Sequence, residues 1–233
     1  MKINIQRESV VEYEIEANNK TLLEILGEIK ITLDSSLSYS SGCRSSVCGS
    51  CAMRVNGKEV LACSYHVEDN DFIEPLRNSE VIRDLVVNLD RAYDFNKKAK
   101  AWQSSMCGGI SLSHEDEKLN ELQSDCILCG SCYSACPVYS VNKEFLGPFS
   151  LTRVLRYVSD KRELNKNEKI DNIQADGVWD CTLCNACTIV CPQGISSKAD
   201  IEKLRTRSVI QGYADPSFSN FGGGFGFDGS PSF

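Results

Sequence analysis

Apolar and polar side chains alternate over Lys2 to Gln6 and again over Val10 to Glu16, the period-two pattern of strands with one buried face. The short break between them predicts a hairpin. The period then changes: Thr21-x-x-Glu24 has the form of a capping box, and Leu22, Ile25, Leu26 and Ile29 follow at i, i+3, i+4 and i+7. A helix with one apolar face is therefore expected to about Lys30, packed across a sheet. Ala52 to Val55 and Glu59 to Ala62 flank Asn56-Gly57, a dipeptide suited to the two left-handed residues of a tight hairpin turn. In the second half no strand alternation is found. Ser150 precedes Leu151, Val154, Leu155 and Val158, which predicts an amphipathic helix capped by the serine. The charged stretch 159–176 is expected to be solvated helix or loop.

Composition narrows the class of protein without naming its chemistry. A chain of 233 residues with 42% hydrophobic and 24% charged side chains is ordinary for one or two globular domains. The formal charge is -7 and no Lys/Arg tract stands out, so a nucleic-acid partner has no electrostatic footprint. No apolar stretch approaches the roughly 18 residues of a membrane span. The N-terminal MKINIQRESV carries no apolar run of a signal peptide, and any membrane role would rest on other subunits.

The cysteines change the picture. All but Cys107 of the 13 fall into runs. Cys43-x4-Cys48-x2-Cys51 is the loop of a plant-type [2Fe-2S] site, with Cys63 as the natural fourth ligand, brought back by the Asn56-Gly57 hairpin. Gly and Ser crowd this loop because backbone amides must turn inward to hydrogen-bond the sulfurs. Strand, strand, helix and then the cysteine loop is the order of a β-grasp ferredoxin.

Farther on, Cys126-x2-Cys129-x2-Cys132-x3-Cys136-Pro137 is repeated in spacing by Cys181-x2-Cys184-x2-Cys187-x3-Cys191-Pro192. In such a bacterial-type run three thiolates bind one [4Fe-4S] cube, and the fourth cysteine ligates the other. One cubane is thus expected on Cys126, Cys129, Cys132 and Cys191, the second on Cys136, Cys181, Cys184 and Cys187. Structural zinc, closing on four ligands, has no use for a third x2 step and x3-Cys-Pro; a disulfide framework suits small secreted chains. Cys107 is read as a bystander thiol. Gly224-x-Gly226-x-x-Gly229 has no strand before it and no room for a helix after it, so it belongs to a Gly/Phe/Ser tail rather than a dinucleotide site. With only His66 and His114, no nucleophile–base arrangement is supported and no catalytic residue is assigned.

Cys43-Arg44 with Cys48-Gly49-Ser50-Cys51-Ala52-Met53, the return to Leu61-Ala62-Cys63, Val81-Ile82-Arg83-Asp84-Leu85-Val86-Val87, the first Cys-Pro run, Leu146-Gly147-Pro148 and Cys191-Pro192-Gln193-Gly194 closely resemble the iron-sulfur subunit of succinate dehydrogenase and fumarate reductase. The similarity covers roughly residues 1 to 213. It implies an α+β chain: a β-grasp [2Fe-2S] ferredoxin domain over 1–98 and an all-α bacterial-ferredoxin-like domain with two [4Fe-4S] clusters over 99–213; the tail over 214–233 is read from its Gly/Phe/Ser composition.

The resemblance also implies a function, relaying single electrons between the FAD of a partner flavoprotein, where succinate or fumarate reacts, and a quinone-reactive partner. Two departures refine it. The commonest members have an aliphatic residue where this chain has Cys184, leaving a [3Fe-4S] cluster; a fourth thiolate predicts [4Fe-4S]. The tryptophan and histidine of the family's quinone pocket are replaced by Val141 and Thr182. Both departures look like the branch of archaeal-type succinate dehydrogenases and methylmenaquinol:fumarate reductases, whose membrane-side subunit is cysteine-rich. A peripheral membrane complex on the cytoplasmic side is expected, or on the periplasmic side if a signal-bearing partner carries the chain across. The alternatives are a free-standing polyferredoxin and the iron-sulfur subunit of another flavin-dependent dehydrogenase.

Overall fold

The computed structural model describes residues 1–16, 19–104 and 109–219; Cys107 and the glycine string of the tail lie outside the described residues. The N-terminal alternation forms the antiparallel pair β1 (Lys2–Gln6) and β2 (Val10–Glu14), with Ile3 paired to Tyr13 and Ile5 to Val11. Helix α1 (Leu22–Glu28) starts where expected. The Thr21 hydroxyl accepts from the Glu24 amide, the Glu24 carboxylate accepts from the Thr21 amide, and the helix runs on into one wider π turn over Ile29–Leu33. Strands β3 (Ala52–Val55) and β4 (Lys58–Leu61) turn at Asn56 and Gly57, with φ +49° and +80°.

With β5 (Asp71–Glu74) these strands make a sheet ordered β2-β1-β5-β3-β4, in which only the β1–β5 pairing is parallel. Ile3, Ile5, Met53, Val55 and Ile73 from the sheet and Leu22, Ile25 and Leu26 from α1 are buried in one core. That is the β-grasp arrangement of helix across sheet. A second hairpin, β6 (Glu80–Arg83) and β7 (Val86–Asn88), is anchored by Arg7, whose guanidinium donates to Asp84 and Asp34.

No strand follows Asn88 among the described residues. The helices are α2 (Asp90–Lys98), α3 (His114–Lys118), α4 (Glu121–Ser124), α5 (Ser131–Ser134), α6 (Pro137–Val141), α7 (Pro148–Ser159), α8 (Lys166–Asp171), α9 (Ala186–Ile189), α10 (Ser197–Ile210) and α11 (Pro216–Ser219). Leu151, Val154, Leu155 and Val158 of α7 pack with Ile201 and Leu204 of α10 in a second core, and Ala92 and Phe95 of α2 belong to it as well.

Two expectations are corrected. Helix α7 begins at Pro148 behind Gly147, so Ser150 is not its cap; Ser150 is fully buried, its hydroxyl 2.8 Å from that of Tyr133. Proline is well suited to the first helical position. Gly147 (φ +82°) is there because the Tyr133 ring lies against it: a Cβ would sit 2.0 Å from Tyr133 Cε1. Nor is 159–176 simply solvated, because Lys169 and Glu163 form an ion pair at 3.4 Å with side chains 1% and 0% exposed.

Candidate metal centres

The plant-type loop lies at the surface. Cys43 and Cys48 are exposed, Cys51 is buried beneath them and Cys63 is half-buried. Arg44 and Ser46 are left-handed (φ +59° and +60°), as is Gly49 (+72°), and this winding turns amides onto sulfurs. The amides of Ser45 and Val47 donate to Cys43 Sγ at 3.3 and 3.4 Å, that of Cys43 to Cys48 Sγ at 3.3 Å, and that of Ser46 to Cys63 Sγ at 3.3 Å. Each such bond stabilises negative charge on sulfur. Ser50 and Cys43 bring the Cys48 thiol down to about 6. Burial pushes Cys51 up to about 11. At Cys63 burial is outweighed by Ser46 and Cys51, and the net is downward. The four thus sort into two neighbouring pairs, Cys43 with Cys48 and Cys51 with Cys63.

The two later runs share one backbone. Leu128 and Leu183 both have φ +54°, and Gly130 and Asn185 have +84° and +71°. A left-handed leucine is strained. Here it aims an amide at the first sulfur of its run: Leu183 N–H donates to Cys181 Sγ at 3.4 Å, and Leu128 N–H lowers Cys126 against the larger upward push of burial. Each run ends in a Cys-Pro. Pro137 opens α6, where the Tyr139 amide donates to Cys136 Sγ at 3.4 Å.

Cys191 comes to the far run. Cys126, Cys129, Cys132 and Cys191 line one pocket walled by Leu128, Phe149 and Ile195, and Cys191 charge acts on all three of the others. Cys136, in turn, belongs electrostatically with the later run. Burial raises its thiol and the charges of Cys181 and Cys184 add to that; Cys187, pushed up to about 12 by burial, feels Cys181, Cys136 and Cys184. The groups meet at Cys132, whose thiol is held well above its ordinary value by burial and then by Cys129, Cys126, Cys187 and Cys191.

No three His, Cys, Asp or Glu side chains among the described residues gather closely enough to hold a single metal ion. Half-buried thiols that raise one another's pKa are a poor way to stabilise a fold unless cationic metal takes up their charge as thiolates. This donor set therefore fits iron–sulfur clusters on chemical grounds.

Side chains with no sequence signal complete the site. Asn78 Nδ2 donates to the carbonyls of Tyr133, Ser134 and Cys136 at 2.9, 3.1 and 3.3 Å, fixing the turn into Pro137. The Arg205 guanidinium donates to the carbonyls of Val178, Trp179 and Cys181. Gly49 lies against the first bacterial-type run: a Cβ there would stand 2.7 Å from Cys129 Cβ. Val141, at the end of α6, is 83% exposed, and Thr182 is exposed as well.

Comparison with known proteins agrees with this layout. Residues 2–94 match the family described as "2Fe-2S iron-sulfur cluster binding domain", and residues 122–195 match "4Fe-4S dicluster domain". The chain is 36% identical over 208 residues to the 8-methylmenaquinol:fumarate reductase iron-sulfur subunit of Wolinella succinogenes, covering 83% of this chain and 65% of that relative, so it spans about two thirds of that protein's length. It is 36% identical over 218 residues to the fumarate reductase iron-sulfur subunit of Haemophilus influenzae, covering 84% and 85% of the two chains. A chain of the apo-form Sdh1 complex of Mycobacterium smegmatis has the same fold, with a TM-score of 0.81 at 23% identity over 92% of this chain and 98% of that one.

Proposed function

Because the chain belongs to the family of fumarate reductase and succinate dehydrogenase iron-sulfur subunits, we propose that it is the electron relay of such a quinone-linked oxidoreductase. Cys43, Cys48, Cys51 and Cys63 hold the [2Fe-2S] cluster. Cys126, Cys129, Cys132 and Cys191 hold the first [4Fe-4S] cluster, and Cys136, Cys181, Cys184 and Cys187 the second. When bound, these clusters supply one-electron carriers whose potentials respond to sulfur hydrogen bonds, charge and burial.

The observation that carries the reading is the order in which the cysteines meet. Gly49 sits against Cys129, Cys132 is within reach of the Cys187 charge, and the two ends of that line are exposed, at Cys43 and Cys48 on one side and at Cys184 on the other. A relay needs accessible ends and a sheltered middle. The exposed plant-type loop is the face for a flavoprotein in which succinate or fumarate reacts. The Cys184 end, with Val141 and Thr182 in place of the quinone-pocket tryptophan and histidine, faces a cysteine-rich or membrane-anchored partner. None of the described helices is long and apolar enough to cross a membrane. In this reading the chain belongs to a peripheral membrane complex on the cytoplasmic side, or on the periplasmic side where a signal-bearing partner carries it across. The division into 1–98, 99–213 and a 214–233 tail goes with this reading, α2 reaching over to the second core.

Purification from the native source under argon tests it. Recovery of the chain with a flavoprotein that oxidises succinate or reduces fumarate supports the assignment. Recovery without any stable partner would make it a free polyferredoxin, and recovery with a flavoprotein of other specificity would make it a relay for a different dehydrogenase.

A further inference from the structure

Gln193 follows the second Cys-Pro, lines the cavity shared by Cys126, Cys129, Cys132 and Cys191, and reaches out of it. Its Nε2 donates to the carbonyl of Ser46 at 3.1 Å, a bond spanning 147 residues of sequence. That carbonyl belongs to the peptide unit joining Ser46 to Val47, and the N–H of the same unit, on Val47, donates to Cys43 Sγ at 3.4 Å. The atoms form one chain of donors and acceptors, from the Gln193 amide through one peptide group to Cys43 sulfur. Hydrogen bonds in series polarise one another, and more so where water is scarce. The Gln193 side chain is half-buried. Donation to the carbonyl draws electron density toward oxygen and leaves the amide hydrogen more positive where it faces the sulfur.

We propose that Gln193 is a positioning residue for the [2Fe-2S] centre: through the Ser46–Val47 peptide it strengthens the hydrogen bond to Cys43 and raises that centre's reduction potential. The sign follows from charge, since the reduced cluster is the more negative and gains more from a donor at its sulfur. The residue stands two positions after Cys191, so the loop that closes the first [4Fe-4S] site also sets the plant-type site. The carbonyl clamp ties the Cys191 loop to the plant-type loop, and Gly49 packs the latter onto Cys129 of the first run. The clamp is a side-chain bond, which a substitution can remove while leaving the backbone of the loop in place.

The inference rests on the ligand assignment above, and the test keeps the two apart. Redox titration of the isolated complex, followed by EPR of the reduced [2Fe-2S] signal, is carried out on the wild type and on Gln193→Met, Gln193→Ala, Gln193→Glu and Gln193→Lys. Met and Ala remove the donor, and each is expected to lower the midpoint. Glu presents an acceptor to the carbonyl and should lower it further, whereas Lys, which keeps a donor, should leave it at or above the wild-type value. If both donor-less chains titrate at the wild-type midpoint, the proposal is overturned; should one lose the cluster, the other decides. Absence of a [2Fe-2S] signal from the wild type would instead sink the ligand assignment.

Discussion

The buried pair Lys169–Glu163 gives the sharpest test of what holds the helical unit together. Lys169 Nζ donates to the carbonyls of Lys100 and Trp102 at 2.8 and 2.5 Å and lies 3.4 Å from Glu163. Glu163 accepts from the amide and hydroxyl of Ser104, both at 2.9 Å, and from the amide of Asn165 at 2.8 Å. Both charges are therefore compensated, and the pair pins residues 100–104, where the chain leaves the first unit, to α8. Lys169→Met keeps the apolar stem but strands a carboxylate and two carbonyls out of water. Removing one member of a buried pair costs about 3–5 kcal/mol. At roughly 2–4 °C per kcal/mol for a protein of this size, the apparent melting temperature should fall by about 6–20 °C, read as thermal bleaching of the visible cluster absorption under argon at one scan rate.

The double variant Lys169→Met/Glu163→Gln removes the stranded charge while keeping an acceptor for the Ser104 and Asn165 donors, and should be more stable than the single variant. The pH dependence has a defined sign. Burial pushes the Glu163 carboxyl up, but the Ser104 and Asn165 donors and the Lys169 ammonium together pull it further down, and the net is below its ordinary value. A carboxyl lowered in the folded state stabilises the fold above its unfolded pKa of about 4.3. That stability is lost as the pH drops below 4.3 through the folded-state value, and Glu163→Gln should abolish this part of the acid sensitivity. A Lys169→Met chain melting within 2 °C of wild type, or a double variant no better than the single, would refute the reasoning.

Crossed ligation makes Cys191→Ala a non-local lesion: it should damage the cluster at Cys126, Cys129 and Cys132 and destabilise the helical unit, because a long chain loop is opened, while the [2Fe-2S] visible absorption persists. Damage confined to the cluster at Cys181, Cys184 and Cys187 would be the contrary result. Cys184→Val is expected to yield a [3Fe-4S] EPR signal with the fold retained; a full [3Fe-4S] complement in air-protected wild type would remove Cys184 from the ligand set. Gly147→Ala must push the Tyr133 ring off α7 and hold alanine at φ +82°. Overpacking of about 1–3 kcal/mol with a left-handed cost of about 1–2 kcal/mol should lower [4Fe-4S] content on expression, and wild-type iron content would count against the account of this glycine.

Local rules were legible in the sequence wherever one residue's backbone preference decided the outcome. Asn56-Gly57 could turn as expected because both residues accept positive φ, and Thr21 with Glu24 capped α1 because cap and partner lie within one turn. The short steps between cysteines have the same local character, since each sets the reach of a thiol. What escaped notice were partners far apart in sequence. The run of charges in 159–176 looks like a solvated face until Lys169 is seen to be met by the carbonyls of residues 100 and 102. Ser150 looks like a helix cap until Tyr133 is seen to claim its hydroxyl. Asn78 and Arg205 carry no local pattern at all, and Gln193, though it stands in the motif after Cys191, gives no sign of its partner, because the acceptors of all three are backbone carbonyls that any sequence supplies.

One difference between the two cysteine runs nevertheless reports a long-range fact. Both need a left-handed residue directly after the second cysteine, and the first uses Gly130 where the second uses Asn185. Either residue tolerates that backbone, so conformation alone does not choose. Packing does: a Cβ on Gly130 would meet the Leu89 methyls at 3.0 and 3.3 Å and Leu76 at 3.4 Å, side chains that belong to the sheet-bearing unit and its exit. The first run is pressed onto that unit, as the half-buried Ile127 and Cys129 packed against its core also show. The second run packs on the helical core through Cys181 and Leu183 but is exposed at Cys184, beside which Asn185 carries a half-buried side chain. Glycine in one repeat and asparagine in the other therefore mark which cubane site is sheltered between its neighbours and which stands at the end of the line.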